Sequence, residues 1–311
     1  MTDTALIAVD WGTTSLRAWR LDARGAILDR RRDKLGILQV TGGDFSGALE
    51  SAAGDWLRAN PSAPVLMAGM IGSRQGWVEA PYAPCPADLK IVAQHLVSVP
   101  DQARIRIVPG LSLRAGKTAP DVMRGEETQI FGLDQDGVVI LPGTHSKWTL
   151  ARNNTVEWFA TFFTGELYDV LRRHSILGRL MEDDASAAPA ATGVPDGFDF
   201  GLGEGLSGAA SGLLNALFTV RTRGLFGEIS AKQSPGYLSG LLIGNEIKDA
   251  RAALETRDVK ATSATLVGAE NLTALYAHAL ARAGITTTVA GEDCSARGLF
   301  RIATVAGLLP T

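Results

Sequence analysis

Residues 5–31 read ALIAVDWGTTSLRAWRLDARGAILDRR, and residues 138–156 read VVILPGTHSKWTLARNNTV. Each stretch opens with an apolar run of strand length. Each turns through Gly-Thr, returns as a second strand, and reaches a third through a tight polar turn (Ala23-Arg24-Gly25, Asn153-Asn154). A β-rich unit repeated in one chain predicts two similar domains. The last third alternates strand and helix: ATLVGAENLTALYAHALARAG (264–284) reads as strand, glycine turn and helix, and TTTVAGEDCSARGLFRIATVAGLL (286–309) as strand, loop and a helix starting near Arg297. That pattern belongs to α/β proteins.

Between these landmarks the spacing predicts further elements. Phe45, Leu49, Ala52, Ala53, Trp56 and Leu57 fall on one helical face, with Asp44 as N-cap. Residues 64–72, PVLMAGMIG, are a buried strand emptying into a glycine turn. A helix is expected from Arg124, another over 165–181, another near 206–220, and one from Pro235, which suits a helix start. Residues 182–197 read as a surface loop.

Composition narrows the function classes. The chain has 311 residues, 46% hydrophobic and 20% charged, which excludes intrinsic disorder. A net charge of −3 argues against nucleic acid as partner. Two cysteines, Cys85 and Cys294, make no disulfide framework and fit a reducing compartment. Residues 5–9 are too short for a signal-peptide core, and no apolar run of about 20 residues occurs, so a cytoplasmic protein without membrane contact is expected. The four histidines show no metal-ligand spacing. Glycine stands out, at 35 residues against a typical share of about 7%. Many fall where strands end, as at Gly12, Gly69, Gly72, Gly76, Gly143 and Gly268, where backbone must approach a ligand. Gly240, Gly244, Gly298 and Gly307 fall in expected helices and point to close helix packing, the latter two where the domains meet.

Three strand ends carry chemistry. Asp10 closes the first strand, and Gly12, Thr13 and Thr14 follow with uncharged donors able to cradle phosphate oxygens. Asp10 suits a Mg²⁺ held through water. Gly143, Thr144 and Lys147 form a second such turn, with His145 inside it. Gly268-Ala269 leads from strand into helix, a place for phosphate or a flat ring. No GxxxxGK[ST] loop occurs, which excludes a P-loop site.

These three motifs resemble the phosphate 1, phosphate 2 and adenosine motifs of the actin/hexokinase/Hsp70 ATPase superfamily. MAGMIGSRQGW (67–77), VMRGEETQ (122–129), PGTHSKW (142–148), TGELYDVL (164–171) and SGLLIGNE (239–246) resemble the 2-dehydro-3-deoxygalactonokinase family more closely. The resemblance covers residues 5–307. It implies two ribonuclease-H-like α/β domains, 1–125 and 126–311, with a central nucleotide cleft. The first would carry phosphate 1 and the sugar-acid site, the second phosphate 2 and the adenosine site. It further implies ATP and Mg²⁺, a small sugar acid as partner, a monomer or homodimer, and phosphorylation of 2-dehydro-3-deoxy-D-galactonate at the 6-hydroxyl. Gly268-Ala269 departs from the Gly-Gly common in related sugar kinases.

In such kinases a carboxylate at the start of the connecting helix takes the hydroxyl proton. Here that place holds Glu126, with Glu127 as the second candidate; either also suits a helix N-terminus. The substrate's carboxylate calls for a cation, and Arg17, Arg74 and Arg124 follow strand ends or glycine turns. Gly69 and Trp77 would belong to the substrate wall, and Trp11 either lines the sugar or sits in the core. Two other readings stay open: a kinase for another sugar acid or a hexose, and a nucleotide-driven regulatory protein of the same fold.

Overall fold

The structure, a computed structural model, describes residues 3–114, 119–182, 193–208, 211–291 and 293–310. Most of the expected 182–197 loop lies outside them. The chain divides into two compact units. The first comprises Met1–Asp136, Leu150–Phe159 and Gly291–Thr311; the second comprises Gly137–Thr149 and Ala160–Ala290. The expected division at 125/126 falls inside the first unit, between a glycine and the helix it caps.

In the first unit, β1 (Leu6–Trp11), β2 (Leu16–Leu21) and β3 (Ile27–Asp33) form the expected antiparallel meander. Helix α1 (Phe45–Ala59) follows, and the Asp44 carboxylate accepts from the Gly47 amide at 2.8 Å as its N-cap. Strand β4 (Val65–Ala68) lies parallel to β1. Short strands β5 (Ala83–Pro84) and β6 (Ala87–Asp88), helix α2 (Leu89–Gln94) and strand β7 (Val97–Val99) precede β8 (Gln102–Ile107), which runs parallel to β4. The sheet order is β3-β2-β1-β4-β8-β7. Every residue of β1 is buried, which is why this central strand reads as one apolar run. The edge strand β3 carries Asp29, Arg30, Arg31, Arg32 and Asp33, charges that discourage edge-to-edge pairing. Phe45, Leu49, Trp56 and Leu57 of α1 pack with Val9, Trp11, Val65 and Met67 in one core.

Strands β9 (Leu111–Leu113) and β10 (Asp121–Met123) lead to α3 (Glu126–Phe131). This helix starts at Glu126, not at the expected Arg124, because Gly125 has φ 107 and stands outside the helical region as N-cap. The last helix of the chain also belongs to the first unit.

In the second unit, β11 (Gly137–Leu141) is followed by β12 (Ser146–Arg152) and β13 (Thr155–Phe162), strands that run on into the first unit's segment 150–159. Asn153 and Asn154 take positive φ at the expected tight turn. Helix α4 (Thr164–His174) is shorter than the expected 165–181, since the Ser175 hydroxyl closes it by donating to the Leu171 carbonyl at 2.5 Å. The single helix expected near 206–220 is two, α5 (Phe198–Ser207) and α6 (Leu213–Leu225), because Gly208 and Gly212 adopt positive φ between them. Helix α7 (Ser234–Glu255) has Pro235 in its first turn. Strand β14 (Ser263–Leu266), helix α8 (Glu270–Arg282), strand β15 (Thr286–Val289) and helix α9 (Cys294–Val305) finish the chain, α9 starting three residues before Arg297.

The second sheet has the order β15-β14-β11-β12-β13-β6; its first five strands repeat the β8-β4-β1-β2-β3 order of the first sheet, with β11, β14 and β15 parallel. A meander of three strands extended by two parallel strands therefore occurs twice, as the duplicated sequence predicts. This is the ribonuclease-H-like arrangement. Gly240 and Gly244 let α7 meet α5 at backbone distance: a Cβ on Gly240 would stand 2.0 Å from the Phe198 carbonyl oxygen. Gly298 does the same between α9 and α3, 1.8 Å from the Thr128 carbonyl oxygen, so this contact lies inside the first unit rather than where domains meet. Among the described residues no helix is long and apolar enough to cross a membrane.

Candidate active site

The carboxyl ends of β1 and β4 open onto a cavity of ≈ 210 Å³ in the first unit. Asp10 is 8% exposed there. Its Oδ2 accepts from Arg17 Nη2 and, at 3.0 Å, from Ser295 Oγ of α9. Strand register places Asp10 opposite Arg17 on β2, and Arg17 opposite Arg32 on β3. The three side chains therefore line the cavity in a row across the sheet. Hairpin register was the signal that would have found Arg32, which the motif reading did not single out.

Gly69 follows β4 with φ 91, and a Cβ there would stand 2.8 Å from the Trp11 carbonyl oxygen. Gly125 meets it from the other side; its Cβ would lie 3.2 Å from Gly69 Cα. Only glycine fits both strained conformation and close approach. This pinch sets the start of α3 beside Asp10. Glu126 lines the cavity, and its Oε2 accepts from the Arg124 amide at 3.0 Å. Glu127 is wholly buried: its Oε2 accepts from the Gly125 amide at 2.6 Å, while Oε1 has no hydrogen-bond partner among the described residues. Burial, reinforced by the negative charge of Glu126, pushes the Glu127 carboxyl up to about 8.

Arg124 also lines the cavity. Its Nη2 donates to the Ala80 carbonyl at 2.8 Å and its guanidinium lies 4.3 Å from the Tyr82 ring centroid. Nε and Nη1 are buried with no hydrogen-bond partner among the described residues, an arrangement that asks for an anion. Arg74 instead points to solvent beside Glu79, and Trp77 stacks on Phe45 against the first core; neither lines the cavity. Trp11 is core, its indole donating to the Leu35 carbonyl at 2.8 Å. Gly12, Ser15, Gly69, Met70, Gly125 and Gln129 complete the lining.

Thr13 and Thr14 are exposed at the tip of the first Gly-Thr turn. The turn is closed by the Gly12 amide donating to the Ser15 carbonyl at 2.9 Å. Residues 36–38 brace its back: the Ile37 amide donates to the Gly12 carbonyl at 3.0 Å, and a Cβ on Gly36 would stand 2.2 Å from the Thr13 carbonyl oxygen.

In the second unit, Gly143 and Thr144 form the turn between β11 and β12. The first residues of α4 hold it, the Glu166 amide donating to the Thr144 carbonyl at 3.0 Å. Gly268 stands at the end of β14, and a Cβ there would lie 3.3 Å from the Pro142 carbonyl oxygen. The second turn and the Gly268-Ala269 turn are thus neighbours within this unit. Lys147 is 4% exposed on β12, not a solvated lysine at the hairpin tip. His145 Nε2 lies 2.6 Å from Glu166 Oε2, and its ring stacks on Phe163.

A family model described as 2-keto-3-deoxy-galactonokinase matches residues 10–302. The chain belongs to this family. The 2-dehydro-3-deoxygalactonokinase of Escherichia coli is 36% identical over 301 residues, spanning 96% of this chain and 97% of the relative. A relative from Rhizobium meliloti, named as a probable 2-dehydro-3-deoxygalactonokinase, is 38% identical over 297 residues, 93% of each. The crystal structure of a protein assigned as a 2-dehydro-3-deoxygalactonokinase from Sinorhizobium meliloti superposes with a TM-score of 0.83 at 36% identity, covering 96% of this chain and 98% of that one. The galactonokinase family is one of kinases, so use of a nucleoside triphosphate belongs to it.

Asp10 offers a divalent ion one carboxylate, and both of its hydrogen bonds fall on Oδ2. Among the described residues no three His, Cys, Asp or Glu side chains gather into a cage. Such a donor set fits Mg²⁺, which keeps its waters and takes most of its other ligands from phosphates.

Proposed function

We propose that this chain transfers the γ-phosphoryl group of ATP to the 6-hydroxyl of 2-dehydro-3-deoxy-D-galactonate. The observation that carries the reading is the single cavity shared by Asp10, Glu126, Arg17, Arg32 and Arg124. A substrate with a carboxylate at one end and a reacting hydroxyl at the other needs cations and a proton acceptor within one small space. Membership of the family supports the choice of substrate.

Phosphoryl transfer asks the protein chiefly for positioning and charge. Glu126 accepts the proton of the substrate hydroxyl as its oxygen bonds to the γ-phosphorus and the bond to the ADP oxygen breaks. Arg124, with two guanidinium nitrogens that have no partner among the described residues, and Arg32 hold the substrate carboxylate. Arg17 remains paired with Asp10 and orients it. In the first unit, Thr13 and Thr14 are donors suited to phosphate oxygens. In the second unit, the Gly143–Thr144 turn offers donors of the same kind, and the neighbouring Gly268-Ala269 turn suits adenosine. Mg²⁺, held by Asp10 through water, would supply neutralising charge on the phosphates.

An ADP-release assay across a panel of sugar acids and neutral hexoses tests this. Turnover with the keto-deoxy galactonate and none with hexoses is expected. Activity confined to neutral sugars, or ATP hydrolysis indifferent to any sugar acid, would sink the reading.

A further inference from the structure

Glu246 sits in the middle of α7 and is 3% exposed. Its Oε1 accepts from Ser146 Oγ at 2.7 Å and from Trp148 Nε1 at 2.8 Å. Its Oε2 accepts from the Tyr276 hydroxyl at 2.7 Å, and the Thr164 hydroxyl also donates to the carboxylate. These four donors are neutral. Burial raises the Glu246 carboxyl, and the hydrogen bonds oppose that rise.

The donors come from three elements that carry the second unit's turns. Ser146 and Trp148 are the first and third residues of β12, directly after the Gly143–Thr144 turn, and so share one strand face. Thr164 opens α4. The next residue, Gly165, lies under that turn; a Cβ on it would stand 2.4 Å from the Gly143 carbonyl oxygen. Tyr276 is on α8, the helix that follows the Gly268-Ala269 turn. One buried carboxyl therefore ties together the strand leaving the first of these turns, the helix supporting it and the helix leaving the other.

We propose that Glu246 is a positioning residue: by accepting from Ser146, Trp148, Thr164 and Tyr276 it holds the Gly143–Thr144 turn in register with the Gly268-Ala269 turn, and so sets affinity for the nucleotide without touching it. The proposal rests on the reading that these turns bind ATP. A buried network of this kind rigidifies its surroundings only while each member is satisfied. The indole N–H of Trp148 can only donate, whereas the three hydroxyls can reverse. A glutamine at 246 can meet all four partners, its carbonyl taking Trp148 and Ser146 and its amide donating to Tyr276 and Thr164.

Binding of a non-hydrolysable ATP analogue with Mg²⁺ is measured by calorimetry, beside KM for the sugar acid and the thermal midpoint. In Tyr276→Phe the dissociation constant is expected to rise about three- to tenfold, as for one lost hydrogen bond. In Glu246→Ala it rises more than tenfold, and in Glu246→Gln it stays within about threefold of the parent. KM for the sugar acid stays within about twofold in all three. Folded Tyr276→Phe with unchanged nucleotide affinity would overturn the proposal, as would equal losses for both substrates or a glutamine variant as weak as alanine. Gly143→Val is run alongside. If its nucleotide affinity is unchanged, the assignment of the turn falls, and the proposal with it. If it is weakened while Tyr276→Phe and Glu246→Ala are not, only the role of Glu246 falls.

Discussion

Glu126 and Glu127 are adjacent in the first turn of α3, yet their carboxyls occupy opposite environments: Glu126 borders the cavity, and Glu127 is wholly buried behind it. The helical step of about 100° per residue separates them. Their contributions to catalysis should separate equally. Glu126→Gln is expected to lower kcat by about 10²–10⁴-fold, the usual worth of a positioned base, with ATP affinity kept. Glu127→Gln should retain most of kcat. Steady-state kinetics with isothermal binding checks both, and the reverse ranking would move the base to Glu127.

The same burial gives Glu127 a pH signature. Its carboxyl rises from an ordinary 4.5 to about 8 in the folded chain. Between these values the native state binds more protons than the unfolded one, so stability falls as pH rises. The contribution is full below about 4.5 and gone above about 8. Urea unfolding at pH 5, 6.5 and 8 should show wild type losing stability more steeply than Glu127→Gln. Parallel slopes would contradict the assignment.

The arginines should sort by position. Arg32→Ala and Arg124→Ala are expected to raise KM for the sugar acid roughly tenfold or more, as for lost hydrogen bonds between charged groups. Arg124→Lys should recover little, because a lysine cannot reproduce the planar fork above Tyr82. Arg74→Ala, out in solvent beside Glu79, should leave KM unchanged. Substrate-saturation curves for the four variants make the comparison.

Gly36 should prove as sensitive as the turn it braces. A methyl group there meets the Thr13 backbone at 2.2 Å, which forces either residues 36–38 or the first Gly-Thr turn to move. Gly36→Ala is expected to cost about 1–3 kcal/mol, typical of overpacking, and to weaken nucleotide binding. Denaturant unfolding and calorimetry would reveal this; a variant as stable as its parent would show that the loop yields freely.

Much of this was legible in the sequence because strand periodicity and turn chemistry are local. The two meanders, the Asp44 cap and the positive-φ corner at Asn153-Asn154 all follow from neighbouring residues. Asp10, Glu126, Arg17 and Arg124 stood out since each sits at a strand end or beside a glycine. Arg32 and Ser295 did not, for Arg32 reaches the cavity through cross-strand register and Ser295 reaches Asp10 from a helix nearly three hundred residues away. Glu246 was hidden for a like reason. Its four donors are spread over three elements, and a glutamate within an apolar helix string carries no local sign of them. The break between α5 and α6 was missed because glycine abounds in this chain, and only some glycines leave the helical region.

The tether between Ser295 and Asp10 has a consequence for the order of biosynthesis. The surroundings of Asp10 are complete only when α9 has packed on α3 and reached β1, and α9 emerges from the ribosome after the whole second unit. A nascent chain arrested between residues 107 and 294 has every strand of its first sheet but not the Ser295 hydroxyl that completes the surroundings of Asp10. The hydrogen-bonded setting of Asp10 should thus be assembled late in translation, after the second unit has been made.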